Sequence, residues 1–134
     1  MTRRQMRIHV FNELYFKSFY EDGDFEKQCE LYLSEEEVEP EDAEKLRARA
    51  EEIAKHFPEL DERINSVAVG WKTGRMSRVD LAILRLAVYE AFYDGEIPEK
   101  VAFNEAVELA KSYGSDESAA FINGILGKLS REEH

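Results

Sequence analysis

Apolar residues recur along the chain at intervals of three and four, which is the periodicity of an amphipathic α-helix, and strand-like alternation is nearly absent. Together with turn and cap residues, this pattern predicts seven helices, over residues 3–20, 24–33, 40–57, 58–71, 77–93, 98–113 and 115–129. Seven helices with short links predict an all-α fold, a single compact bundle.

Residues that start or stop helices stand between these segments. Pro40 suits a first helical turn, and Ser77 followed by Asp80 is close to a capping box. Gly95 and Gly114 are placed to end helices. The only subdivision that the pattern allows lies near residues 70–77. It would separate an N-terminal helical subdomain of about 1–70 from a C-terminal one of about 75–134.

Charge is distributed unevenly along the chain. The formal net charge of −11 at pH 7 argues at first against a nucleic-acid partner. The first twenty residues, however, carry four bases and only one acid, and most of the excess negative charge falls in residues 21–62. A basic end on an acidic body can bind phosphates locally while the body repels non-specific binding elsewhere.

Residues that would indicate catalysis or metal binding do not form a pattern. The single cysteine, Cys29, cannot form an internal disulfide, and the three histidines are scattered without ligand spacing. There is no glycine-rich phosphate loop. We therefore expect a non-enzymatic protein with no cofactor and no metal. The lack of a signal segment and of an apolar run of roughly twenty residues predicts a cytoplasmic protein without a membrane partner.

Arg3, Arg4 and Arg7 fan over about a quarter-turn of the first helix, at about 100° per residue. They share their azimuth with Phe11 and Leu14, which should face the core. The first turn must therefore project beyond the core or face a partner. Arginine there opposes the helix dipole at a cost of about 0.3–1 kcal/mol each, which bound phosphate would relieve. A frayed, solvated terminus is the alternative, and the residues alone leave both open.

Several short motifs follow one another in a specific order in the C-terminal half. They are the segment around Trp71, then DLAILRLA (80–87), Tyr89-Glu90, Ile97-Pro98, Lys100-Val101-Ala102, NEAVELAK (104–111), Tyr113-Gly114 and FINGIL (121–126). In this order they resemble the NusB family of bacterial transcription antitermination factors. Residues 3–15 resemble that family's arginine-rich first helix, and residues 22–60 match only in length and helical pattern.

The resemblance implies a fold of two small helical subdomains around a shared core. It also implies a function. Proteins of this family bind the boxA element of nascent ribosomal RNA transcripts together with a ribosomal small-subunit protein, called NusE in this role, and help the polymerase elongate past terminators. The expected partners are therefore single-stranded boxA-type RNA, NusE and the transcription elongation complex. Members of the family can self-associate, so a homodimer is a further expectation.

Roles for individual residues also come from the resemblance. It implies RNA contacts for Arg3, Arg4, Arg7, Tyr15 and Phe121, and contacts with the partner protein for Tyr15 and Asp80. Glu117, one turn before Phe121, is a further RNA candidate that could shape the edge of the RNA groove or merely complement the helix dipole. Spacing alone would place Tyr15 and Phe121 in the core and would make Asp80 a capping partner of Ser77. Asn123 projects away from the apolar stripe of its helix, which predicts a buried polar contact between two helices.

Two weaker RNA candidates remain. Lys72, Arg75 and Arg78 form a second basic cluster, three residues apart in a glycine-containing loop, and could track a phosphate backbone. A solvated face or a set of helix salt bridges is the alternative. The family often carries a basic residue where Gln5 stands, so Gln5 is an RNA candidate of lower weight.

Two other functions compete with RNA-binding antitermination. The acidic composition and Gln5 would suit a protein–protein interaction module that has lost RNA binding. NusB-like domains also form the N-terminal RNA-binding part of some ribosomal RNA methyltransferases. Those chains continue into a catalytic domain with a cofactor-binding glycine motif, whereas this sequence ends at His134.

Overall fold

The structure, a computed structural model, describes residues 1–70 and 72–133; the side chains of Asp22 and Glu133 lie outside the described part, as do Trp71 and His134. The described residues contain seven α-helices and no strand, which confirms the all-α fold class. The helices are α1 (Arg3–Lys17), α2 (Asp22–Glu35), α3 (Pro40–Lys55), α4 (Phe57–Val67), α5 (Arg78–Phe92), α6 (Glu99–Tyr113) and α7 (Ser118–Glu133). A single 3₁₀ turn, Thr73–Arg75, precedes α5.

Helix ends differ from the predicted ones by a few residues where local hydrogen bonds decide them. Helix α1 ends at Lys17, three residues early, because the Ser18 N–H turns back to the Tyr15 and Phe16 carbonyls. Helix α4 ends at Val67, and Gly70 follows with a positive φ of 80°. The predicted extension of α4 to Trp71 is wrong over residues 68–70, and Trp71 itself lies outside the described residues.

Contacts divide the chain into two compact units, Met1–Lys55 and His56–His134. The division therefore falls between α3 and α4 and not near residues 70–77, where the pattern allowed one. The reason is that α4 packs on α5 and α7, and so belongs with the C-terminal helices. Sequence pattern could not show this because α4 has an apolar face that would suit either neighbour.

The first unit consists of α1, α2 and α3, and α1 packs on both of the others. Each helix contributes one buried apolar face; the buried residues are Val10, Phe11, Leu14, Phe25, Cys29, Leu33, Leu46, Ala50 and Ile53. The Phe25 ring lies between two cations, with Lys17 Nζ 4.9 Å and Arg47 Cζ 5.1 Å from its centroid. One buried apolar face on each helix is what the spacing of apolar residues at intervals of three and four predicted.

The second unit is built around α5, which contacts α4, α6 and α7. Every residue from Leu81 to Glu90 is buried except Arg85, as expected for a helix surrounded by others. Arg85 donates two hydrogen bonds to Asp61 on α4, Nε to Oδ1 at 2.8 Å and Nη2 to Oδ2 at 2.7 Å. Its guanidinium also stacks on Phe57 at 3.9 Å. This pair ties α4 to α5 and balances the charge of Arg85, which lies among the buried residues of α5.

The link between α6 and α7 depends on a close approach at Gly114. Gly114 is the C-cap of α6, as predicted, but its backbone is extended and needs no left-handed conformation. A Cβ on Gly114 would lie 2.5 Å from the Ser118 Cβ and 2.8 Å from the Ala110 carbonyl oxygen. Ser118 in turn accepts a hydrogen bond from the Ser115 N–H at 2.9 Å, so α7 begins three residues later than predicted.

Candidate nucleic-acid and partner interface

The N-terminal turn of α1 projects beyond the core of the first unit. All residues from Met1 to Met6 are exposed, Arg7 is half-buried, and the first buried residue is Val10. The first turn contains no acidic residue. The first turn therefore projects beyond the core, and Arg3 and Arg4 lie at the surface.

The same turn is closed by a capping box that the sequence analysis missed. The Gln5 N–H donates to Thr2 Oγ1 at 3.0 Å, and the Thr2 N–H donates to Gln5 Oε1 at 2.8 Å. The signal was present, since Thr-x-x-Gln is the pattern of such a box. The side-chain amide oxygen of Gln5 is therefore bonded to the backbone of its own helix.

Tyr15 lies on the flank of α1 and not in the core of the first unit. Its ring is half-buried and packs edge-on against Phe19, with centroids 4.9 Å apart. Phe16 stands beside Tyr15 and packs against Tyr32, whose hydroxyl is 2.7 Å from His9 Nδ1. We call these five side chains the aromatic row. Since Phe19 is 46% exposed, the row presents an aromatic surface at the C-terminal end of α1.

In the second unit, Glu117 and Phe121 lie one turn apart at the start of α7. Glu117 is exposed and its carbonyl accepts the Phe121 N–H at 3.1 Å. Phe121 is half-buried, so it is neither a full core residue nor free of packing. Gly124, one turn further, is exposed with open space around it. Asn123 is also exposed, so the predicted buried polar contact is wrong: the residue projects from the apolar stripe into solvent and not between helices.

Asp80 occupies the third position of α5. Its N–H donates to Ser77 Oγ at 3.1 Å, which confirms Ser77 as the N-cap. The half-buried Asp80 carboxylate has one oxygen, Oδ1, that is buried and has no hydrogen-bond partner among the described residues. Asp80 therefore takes part in the cap through its backbone N–H, and its carboxylate oxygen Oδ1 is not used in the cap.

The loop cluster has one member with a clear structural role. Lys72 Nζ donates to the Asn65 carbonyl in the last turn of α4 at 2.8 Å. Asn65 Oδ1 also accepts the Thr73 N–H at 2.8 Å, so Asn65 holds the loop from both sides. Arg75 and Arg78 are exposed. The Lys72 contact joins a lysine to a carbonyl at the negative end of a helix. It is neither the solvated face nor the salt bridge that the sequence left open for this residue.

The candidate residues are thus divided between the two units. The first unit holds Arg3, Arg4, Gln5, Arg7 and Tyr15, and the second holds Lys72, Arg75, Asp80, Glu117 and Phe121. Within the described residues, no group of three His, Cys, Asp or Glu side chains is arranged to hold a metal ion. No described helix has the length and apolarity to cross a bilayer.

Two groups inside the first unit, Glu13 and Cys29, have clearly displaced pKa values. Burial raises the pKa of the Glu13 carboxyl to about 8, and burial with the nearby Glu13 raises that of the Cys29 thiol to about 12. A thiol with so high a pKa is a poor nucleophile. Neither group belongs to the candidate interface.

Comparison with known proteins gives consistent matches over nearly the whole chain. The sequence model described as the NusB family matches residues 1–131. The chain is 47% identical over 130 residues to the transcription antitermination protein NusB of Lachnoclostridium phytofermentans, covering 96% of this chain and 98% of that protein. It is similar to the solved structure of T. maritima NusB, with a TM-score of 0.84 and 35% identity, covering 98% of this chain and 92% of that one.

A second solved structure shares the fold at lower identity. It is the crystal structure of the antitermination factors NusB and NusE in complex with dsRNA, and the matched chain has a TM-score of 0.80 and 23% identity. The match covers 98% of this chain and 99% of that one.

Proposed function

The chain belongs to the NusB family, and on that premise we propose that it is an RNA-binding antitermination factor. It recognises boxA-type RNA of ribosomal RNA transcripts together with the ribosomal protein NusE. Membership in this family of non-enzymatic antitermination proteins confirms the expectation that the chain is not an enzyme. The observation that carries the RNA part of the proposal is the exposed first turn of α1, which holds Arg3 and Arg4 without any acid.

The physical argument for RNA at this turn is electrostatic. Arginine at a helix N-terminus is unfavourable by itself, because its charge adds to the positive end of the helix dipole. A phosphate interacts favourably with both the guanidinium and the dipole, and arginine can bind it with two hydrogen bonds. In a chain of net charge −11 the turn is a local concentration of positive charge, which favours phosphate binding there.

The remaining residues extend the proposal to the second unit and to the partner protein. Phe121 presents a half-buried ring beside the exposed Glu117, and stacking of one base on such a ring contributes about 1–3 kcal/mol. Tyr15 lies in the aromatic row, a surface suited to a protein partner, and Asp80 keeps a buried carboxylate oxygen without a bond. We assign Phe121 and Glu117 to RNA, Asp80 to NusE, and Tyr15 to both.

The solved NusB–NusE–dsRNA complex, which shares the fold, supports the choice of RNA and NusE as partners; the residues assigned to each partner are part of the proposal. We extend the proposal to the transcription elongation complex in the cytoplasm, where such a factor would act. A homodimer is the least supported part of the proposal; size-exclusion chromatography with light scattering tests it directly.

The decisive experiment titrates a fluorescent boxA-type RNA with the protein, with and without purified NusE, at several salt concentrations. Arg4→Gln and Arg7→Gln should each weaken binding, and each should reduce the slope of log K against log salt by about 0.7, the value for one phosphate contact with single-stranded RNA. Lys45→Gln is the matched control, since it removes one exposed charge from α3 of the same unit. Equal losses for Lys45→Gln and Arg4→Gln would mean that only the overall charge matters.

The net charge of −11 favours one competing function, a protein–protein module without RNA binding. In that case NusE would bind with normal affinity, and no RNA would bind with or without it. Tyr15→Ala and Asp80→Asn would then weaken NusE binding, while the arginine variants would change nothing.

A further inference from the structure

The turn that carries Arg3 and Arg4 lies at the surface of the first unit. Every residue from Met1 to Met6 is exposed, so apolar burial does not stabilise this turn. The first N–H groups of any helix lack partners within the helix and are bonded by caps or water. The capping box of Thr2 and Gln5 supplies two such cap bonds and orders the backbone of this segment.

The two arginines stand inside that box. Thr2 is the N-cap and Gln5 the third helical residue, so Arg3 and Arg4 occupy the two positions between them. The bonds from Gln5 N–H to Thr2 Oγ1 and from Thr2 N–H to Gln5 Oε1 close a loop around both arginines. Closing it fixes their backbone angles and hence the directions in which their side chains leave the helix.

Because Arg3 and Arg4 interact unfavourably with the helix dipole, the capping box matters more for this turn than a cap does for most helices. Most helices place acids in the first turn, which favours the positive end of the dipole, whereas α1 has none there. Two positive charges at that end promote fraying. The box opposes the fraying with two hydrogen bonds that involve no charged group, so it leaves the positive potential of the turn intact for a phosphate.

We propose that Thr2 and Gln5 are positioning residues for RNA binding, and that they hold Arg3 and Arg4 in a helical turn before the RNA arrives. This inference rests on the function proposed above. Under this inference, the Gln5 side-chain amide accepts the hydrogen bond from the Thr2 N–H and does not contact RNA. When the box is lost, RNA must order a frayed turn as it binds, and this loss of conformational freedom lowers the affinity.

The test is a double-mutant cycle on RNA affinity with the full chain. Thr2→Val removes the hydroxyl at nearly constant shape, and Gln5→Ala removes the amide. Each should weaken binding about three- to tenfold, the range expected from the loss of an N-cap. Thr2→Ser keeps the hydroxyl and should bind as the unchanged protein does. The double variant should lose clearly less than the product of the two single losses, because both changes open the same box.

A second measurement reports the order of the turn without RNA. Amide hydrogen exchange at Gln5 and Met6, followed by NMR, should be faster in Thr2→Val and Gln5→Ala and normal in Thr2→Ser. Exchange in the buried part of α1 and the thermal midpoint should stay unchanged, which separates positioning from a general loss of folding.

Three results would overturn the inference in distinguishable ways. Multiplicative losses in the double variant would show that Thr2 and Gln5 act independently and not through one shared box. Normal affinity in Thr2→Val would show that the box does not position the arginines, while RNA binding by the unchanged protein would leave the proposed function standing. Failure of the unchanged protein to bind RNA, even with NusE, would overturn both proposals.

Discussion

The carboxylate Oε2 of Glu13 lies 3.9 Å from Nη1 of Arg47 inside the first unit, and the Glu13 side chain is fully buried. Burial raises the pKa of Glu13 to about 8, and the nearby Arg47 does not restore the ordinary value. One reason is that Arg47 is shared: its Nη2 lies 2.9 Å from Glu51 and 3.9 Å from Glu26. Helix α1, which carries the arginines proposed to contact RNA, thus buries a carboxyl that is mostly neutral at pH 7.

The first prediction concerns the free energy that the burial of the Glu13 carboxyl costs when the chain folds. In the unfolded chain Glu13 ionises with a pKa near 4.5, so at pH 7 folding must return a proton to it. Glu13→Gln removes that requirement at nearly the same volume, and should raise the free energy of unfolding at pH 7 by about 2–3 kcal/mol. Urea denaturation followed by circular dichroism measures it.

The matched control is Glu26→Gln, which changes an exposed carboxylate near the same arginine. It should alter the free energy of unfolding by no more than about 0.5 kcal/mol. A Glu13→Gln protein that is less stable than the unchanged one at pH 7 would show that the ionised carboxylate and its pair with Arg47 stabilise the fold.

The second prediction concerns pH. Because the folded pKa of Glu13 is above the unfolded one, the folded state holds more protons between pH 4.5 and about 8. The contribution of the protonated Glu13 carboxyl to the free energy of unfolding is therefore fully present below pH 4.5, and it is lost as the pH rises to about 8. In that window the stability difference between Glu13→Gln and the unchanged protein should grow by about 1.4 kcal/mol per pH unit. A difference independent of pH, measured by urea denaturation from pH 5 to 9, would contradict this.

The third prediction concerns the pair of Asp61 and Arg85 in the second unit. It is bidentate, mostly shielded from solvent and backed by Phe57, so it should contribute more than a surface ion pair. Asp61→Asn should lower the free energy of unfolding by about 1–3 kcal/mol, since it leaves the guanidinium without its charge partner. Removing the exposed pair of Glu108 and Lys111 is the control, with an expected change below about 0.5 kcal/mol. Comparable losses in the two cases would show that the Asp61 pair has no special weight.

The fourth prediction compares two glycines of the second unit. Alanine at Gly114 would place its Cβ 2.5 Å from the Ser118 Cβ, so α7 would have to shift, at a cost of about 1–3 kcal/mol. Alanine at Gly124, in the interior of α7, meets nothing within 4 Å and should stabilise the helix by about 0.5–1 kcal/mol. Thermal unfolding of the two variants should therefore move in opposite directions. Equal shifts would mean that the link around Gly114 adapts to a side chain.

Much of the fold could be predicted because its signals are local. The spacing of apolar residues predicted every helix, and Ser77 and Gly114 marked ends that the structure confirms. The arginine-bearing first helix followed from a resemblance of motifs and not from spacing, which left RNA contact and a frayed end equally open. The capping box of Thr2 and Gln5 is also a local feature, because its Thr-x-x-Gln pattern is visible in the sequence, where the family resemblance instead makes Gln5 an RNA candidate.

The seven helices, their caps and the basic turn at the N-terminus follow from local sequence, since these depend on residues within a few positions of one another. Packing between distant segments places α4 with the C-terminal helices, brings Lys72 to Asn65 and leaves Asn123 exposed. It also buries Glu13 beside Arg47. Burial and charge pairing depend on which helix faces align, and residues far apart in the chain decide that alignment together.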